Sequence, residues 1–162
     1  MENEWLLGFK KILIPFDGSK ISENALKYGV SVANKYDASI VILSVFSSKD
    51  PDCQFKNRII EMDKKIANDI EKMPSLYLME HYHGILKNVL CKQKINVKSV
   101  LRESETSTKS VVKILLEVIE KEKIDLVIIS SHGRTGFKKL KQGSVTEELI
   151  KSLAIPLLCV KK

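Results

Sequence analysis

At 162 residues the chain is long enough for one domain with an adequate core, and 44% hydrophobic with 29% charged residues is the composition of an ordinary soluble globular protein. No apolar run approaches the roughly 18 residues needed to span a bilayer, and the acidic start Met1-Glu2-Asn3-Glu4 runs straight into a strand pattern, which argues against a signal peptide and makes the cytosol the expected location. The formal charge of +7 comes from lysines spread from Lys10 to Lys162; a solvated basic surface favours anionic small molecules and does not by itself mark a nucleic-acid binder.

The first element is the apolar run Lys11 to Phe16, a buried strand that ends at the turn signal Asp17-Gly18-Ser19. Ser19 or Ser22 caps a helix whose stripe is Ala25, Leu26, Val30 and Ala33, running to about Lys35 with Asp37 in the turn after it. Ser39 to Phe46 is nearly all apolar and rich in β-branched residues, as strands covered on both faces are. Ser47 to about Cys53 is a loop. Residues from about Phe55 to Lys92 carry a helical pattern broken near Met73 by Pro74. His81, Tyr82 and His83 lie in that stretch, and a histidine pair at i, i+2 does not share a helix face, so a surface position is expected.

A third strand is expected over Ile95 to Leu101, followed by polar Arg102 to Ser107 and a strong helix with a buried face of Val111, Val112, Leu115, Leu116, Val118 and Ile119. Leu126 to Ser130 is a short fourth strand, fully apolar until its last residue. A glycine-bearing loop leads to a helix from about Ser144 to Ser152 and a last strand at Pro156 to Val160. Strands and helices alternate throughout, which implies βαβ crossovers and a mostly parallel, doubly wound α/β sheet in a single domain, residues 1–162. The three cysteines, Cys53, Cys91 and Cys159, are scattered and read as reduced structural thiols, without metal-ligand spacing.

In open α/β sheets ligands sit beyond the carboxyl ends of strands, where strand order reverses. Pro15-Phe16-Asp17-Gly18-Ser19 and Ser130 to Thr146 occupy such ends. Gly133 and Gly136 let backbone N–H groups approach a ligand, and Gly143-Ser144 stands before a helix whose first amides, from Ser144, Val145 and Thr146, have no intrahelical partner. A helix N-terminus with a serine hydroxyl suits phosphate. The same residues are also what a plain turn with Ser144 as N-cap would use, and spacing alone leaves both readings open. The loop is neither a Walker A sequence nor a GxGxxG after the first strand, which argues against a dinucleotide oxidoreductase.

The segments ILIPFDGS near the start, SHGRTGFKKLKQGSVTEELI late and IPLLCVK at the end give the whole chain a layout that resembles the universal stress protein family. The resemblance implies a five-stranded Rossmann-like sheet of order 3-2-1-4-5 with helices on both faces, of the adenine nucleotide alpha hydrolase-like kind. Nucleotide-binding members carry Gly-x2-Gly-x9-Gly-Ser/Thr, which maps onto Ser130, Gly133, Gly143 and Ser144, with serine in place of the first glycine. The resemblance places Asp17 where the family contacts the adenosine moiety, with Pro15 beside it, and Val45 on the adenine pocket. Gly133, Gly143, Ser144, Val145 and Thr146 fall at phosphate and ribose contacts. Asp17 has a lesser alternative as an Asx turn or N-cap, and Val45 could equally be core. His132 reads as a packing or hydrogen-bonding residue.

The implied function is that of a nucleotide-binding regulatory domain, with ATP the first choice of ligand, ADP or AMP next, and magnesium accompanying ATP. The competing function is a protein-interaction module of the same fold without nucleotide, which Ser130 and the glutamates at 103 and 105 favour. Nucleic-acid binding is a third and weaker reading. No metal-binding carboxylate stands beside a base, so any ATP hydrolysis is expected to be slow or to need a partner. The apolar last strand, as a sheet edge, is expected to form a homodimer.

Overall fold

Three consecutive residues of the first strand, Ile12, Leu13 and Ile14, have no solvent-accessible surface. A strand alternates its side chains between two faces, so such a run requires cover on both. The computed structural model describes residues 8–46, 83, 84, 86–88, 90–104, 107–131 and 145–161, and it supplies that cover. Ile12 and Ile14 pack with Ala25, Leu26 and Ala33 of the first helix, whereas Leu13 packs with Val112, Leu115, Val118 and Leu149 of two later helices. Each fully buried branched side chain contributes about 1.5–3 kcal/mol relative to exposure.

The elements are β1 (Lys11–Pro15), α1 (Lys20–Tyr36), β2 (Ser39–Phe46), β3 (Val97–Glu103), α2 (Thr108–Glu122), β4 (Leu126–Ser130), α3 (Val145–Ser152) and β5 (Leu157–Val160). Residues 83–84, 86–88 and 90–91, which precede β3, are helical. The sheet has the order β3-β2-β1-β4-β5 and every pairing is parallel, so the doubly wound α/β reading and its strand order hold. Lys11 pairs with Ser39 and Pro15 with Leu43, while Ile12 pairs with Leu126.

The helix ends follow ordinary capping chemistry. Ser19 is the N-cap of α1, its hydroxyl accepting from the Ser22 amide at 3.1 Å, and Ser107 does the same for α2 through Ser110. Asp37 and Lys123 close α1 and α2 in the left-handed conformation, at φ 54° and 55°. Asp125 accepts from the Lys10 and Lys11 amides at 2.8 and 3.0 Å, which ties the start of β4 to the start of β1.

Three sequence expectations need correction. The third strand runs from Val97 to Glu103, two residues later than its apolar pattern, because its full length pairs with Ile40–Phe46 of β2. The first helix ends at Tyr36, one residue further than expected. His83 is not on the surface: it is 2% exposed, with its ring against the buried Ser44 of β2. The expectations for Pro74 and the loop after Phe46 lie outside the described residues.

Candidate functional site

A parallel sheet of this order has one place where chain connections leave in opposite directions, between β1 and β4. At the carboxyl end of β1 the Phe16 amide donates to the Leu43 carbonyl at 2.8 Å. The chain then turns through Asp17, half-buried, and Gly18, whose φ of 79° lies in the left-handed region that glycine enters without strain. Asp17 Oδ1 accepts from the Ser19 amide at 3.0 Å, an Asx turn that delivers the chain to the α1 N-cap.

Register brings the other residues to the same level. With Pro15 opposite Leu43, the turn at Asp17 leaves the sheet next to the carboxyl end of β2, where Val45 is half-buried. With Ile12 opposite Leu126, four further residues set Phe16 level with Ser130, the last and buried residue of β4. The Ser130 carbonyl accepts from Thr146 Oγ1 at 3.1 Å, which ties the first turn of α3 to the end of β4. Pro15, Asp17, Val45, Ser130, Val145 and Thr146 therefore gather around the carboxyl ends of three adjacent strands. Gly133, Gly143, Ser144 and His132 lie outside the described residues.

The geometry refines what each residue can do. Thr146 is buried and its hydroxyl is donated inside the protein, so its contribution to a ligand is its backbone. Val45 packs against the core with Val145, both partly buried, which leaves an apolar edge at the crevice. The first turn of α3 carries Glu147 and Glu148, whose carboxylates complement the helix dipole and oppose a second anion there. Glu103, exposed at the end of β3, sits opposite Phe46 and one strand beyond β2, outside the β1–β4 crevice.

Sequence reasoning missed one group next to this site. The buried Ser44 hydroxyl donates to the Phe16 carbonyl at 2.6 Å and lies 2.7 Å from His83 Nε2. Burial lowers the His83 pKa to about 4, so the ring is neutral at neutral pH. Only Ser44, a polar residue in the interior of the otherwise apolar β2, hinted at such a partner. Among the described residues no group of three or more histidine, cysteine or acidic side chains could hold a metal ion, and no helix is long and apolar enough to cross a membrane.

A sequence model described as the Universal stress protein family matches residues 8–161. The chain is 29% identical over 154 residues to universal stress protein MJ0531 of Methanocaldococcus jannaschii, covering 95% of this chain and 83% of that one. It is also 29% identical to universal stress protein MJ0577 of the same organism, over 95% of this chain and 96% of that protein. The solved structure of MJ0577 superposes with a TM-score of 0.67 at 25% identity, covering 96% and 98% of the two chains. The fold is further shared, at 13% identity and a TM-score of 0.52 over 96% and 100% of the chains, with a universal stress protein from Archaeoglobus fulgidus solved in complex with dAMP.

Proposed function

The chain belongs to the universal stress protein family, and from that premise we propose that it binds an adenine nucleotide, ATP by preference, at the carboxyl ends of β1, β2 and β4 as a regulatory stress-response domain. The observation that carries the reading is the convergence of Asp17, Val45, Ser130 and the start of α3 at the point where strand order reverses. The dAMP complex of a protein with the same fold supports adenine as the base.

In this reading the Asp17 carboxylate, while keeping its Asx bond, faces the adenosine moiety, with Pro15 holding the strand end beside it. Val45 lines the adenine slot. The phosphates rest on the backbone of Gly133, Gly143, Ser144, Val145 and Thr146, the residues that match the family's Gly-x2-Gly-x9-Gly-Ser/Thr pattern. Ser130 stands where that pattern has glycine. Magnesium accompanies the triphosphate, and hydrolysis, where it occurs at all, is slow.

The competing function, an interaction module without nucleotide, keeps Ser130 in its favour, and the two glutamates in the first turn of α3 add support. Of the glutamates at 103 and 105, Glu103 stands on β3 away from the crevice and Glu105 lies outside the described residues. One experiment separates the two readings. Mass spectrometry of small molecules released from denatured protein, followed by titration of the stripped protein with ATP, ADP and AMP, should find an adenine nucleotide carried over or bound, ATP most tightly. Absence of binding of all three at millimolar concentration overturns the nucleotide reading. Asp17→Asn, which keeps the Asx acceptor, should weaken ATP binding by about tenfold while leaving the fold intact.

A further inference from the structure

The Ser44 hydroxyl has one proton and two neighbours. The Phe16 carbonyl, at 2.6 Å, can only accept, so that proton goes to it. The contact of 2.7 Å to His83 Nε2 then requires the ring to be the donor, which places the single ring proton of neutral His83 on Nε2. Nδ1 is left as a bare, fully buried acceptor without a partner among the described residues. A purely aliphatic side chain here, continuing the apolar side formed by Leu86 and Leu90, would occupy core without burying an unsatisfied nitrogen. What the imidazole supplies beyond bulk is the Nε2–H.

That proton is the start of a directed chain, His83 Nε2–H to Ser44 Oγ–H to the Phe16 carbonyl, and the chain ends on the peptide that leads into Asp17. Phe16 follows the last residue of β1, and its amide donates to the Leu43 carbonyl of β2. In the turn that follows, Asp17 accepts from the Ser19 amide and Ser19 caps α1. The Phe16–Asp17 peptide lies between these two supports, and its plane sets the direction in which the Asp17 backbone and side chain leave the sheet.

We propose that His83 is a positioning residue for the nucleotide site, acting through Ser44 to fix the Phe16–Asp17 peptide and so to aim Asp17 at its ligand. This rests on the nucleotide-binding reading for its functional consequence, and the structural half is measurable without a ligand. It gives the segment before β3 an influence on the β1 turn through two side chains that are 39 residues apart in sequence.

The test uses the full chain, labelled with nitrogen-15, and three variants: His83→Leu, Ser44→Ala and His83→Gln, whose amide N–H falls close to the position of Nε2–H. His83→Leu and Ser44→Ala should each move the amide resonances of Asp17, Gly18 and Ser19, speed their hydrogen exchange, and weaken ATP binding about five- to tenfold. His83→Gln should restore both readouts toward the parent protein, which bulk packing alone would not do. The ring nitrogen spectrum of the parent protein should show the proton on Nε2. The proposal is overturned by a proton on Nδ1, by unchanged 17–19 amides in both disruptive variants, or by a glutamine variant that behaves as the leucine one does. If His83→Leu does not fold, Ser44→Ala, which removes only a hydroxyl, decides the same question. If the parent protein binds no nucleotide, that reading fails, while the 17–19 amides still decide the positioning role.

Discussion

At residue scale, His83 makes stability depend on pH in one direction. Its ordinary pKa of 6.5 is lowered to about 4 in the folded protein because burial disfavours the charged ring. Above pH 6.5 the ring is neutral in both states and contributes no dependence. As pH falls below 6.5 the unfolded chain takes up a proton that the folded protein refuses, so stability declines until the folded ring protonates near pH 4. The difference integrates to roughly 3 kcal/mol. Urea unfolding of the parent protein and His83→Gln at about pH 7 and about pH 5 should therefore show a larger loss in the parent; equal losses would mean that the ring is not desolvated. This residue was not legible in the sequence. Its spacing from His81 argued only that two histidines do not share a helix face, and its partner Ser44 is in another element. The Asp17 turn was legible, because Asp-Gly-Ser after an apolar run states its own local geometry: an Asx bond, a glycine at positive φ and a serine cap.

At the scale of elements, α1 approaches β1 closely through Gly29. A Cβ built there would meet Ile14 Cδ1 and lie 3.2 Å from Ile14 Cγ1, in a core where Ile14 has no exposed surface. Gly29→Ala gains helix propensity of about 1 kcal/mol, but the packed core leaves Ile14 little room, and overpacking of this kind costs about 1–3 kcal/mol. The net expectation is destabilisation, measured as a lower urea midpoint at unchanged slope, and partial recovery when Ile14→Val removes Cδ1 in the same chain. A stabilised single variant would mean that Ile14 moves freely. The elements themselves were legible where burial was uniform. β2 and β4 begin and end as expected, because strands covered on both faces announce themselves as unbroken apolar runs. β3 was not, since it lies at an edge where Lys98, Ser99, Arg102 and Glu103 are exposed, and only its pairing partner determines how far it extends.

At the scale of the whole molecule, the two edges of the sheet differ. The β3 edge carries Lys98, Arg102 and Glu103, and charge on an edge discourages a second chain from pairing there. The β5 edge reads Leu157-Leu158-Cys159-Val160 without a charge, and Leu158 remains 39% exposed. An apolar edge strand of this kind is the part of the described surface best suited to add another strand. The expectation is a homodimer joined through β5, with twice the 18.4 kDa chain mass in light scattering at micromolar concentration. Leu158→Lys should shift that dimer toward monomer by about tenfold or more in dissociation constant, because each symmetric interface then receives two new charges. A charge added at Ser99 on the opposite edge should leave the mass unchanged. A parent protein that is already monomeric at that concentration overturns the expectation. Since β5 pairs with β4 through Ser130 opposite Val160, a partner strand on β5 would stand two strands from the Ser130 end of the site. Nucleotide occupancy and dimer stability can then be coupled through one short strand, and the measurable sign is a dimer dissociation constant that changes when ATP is added.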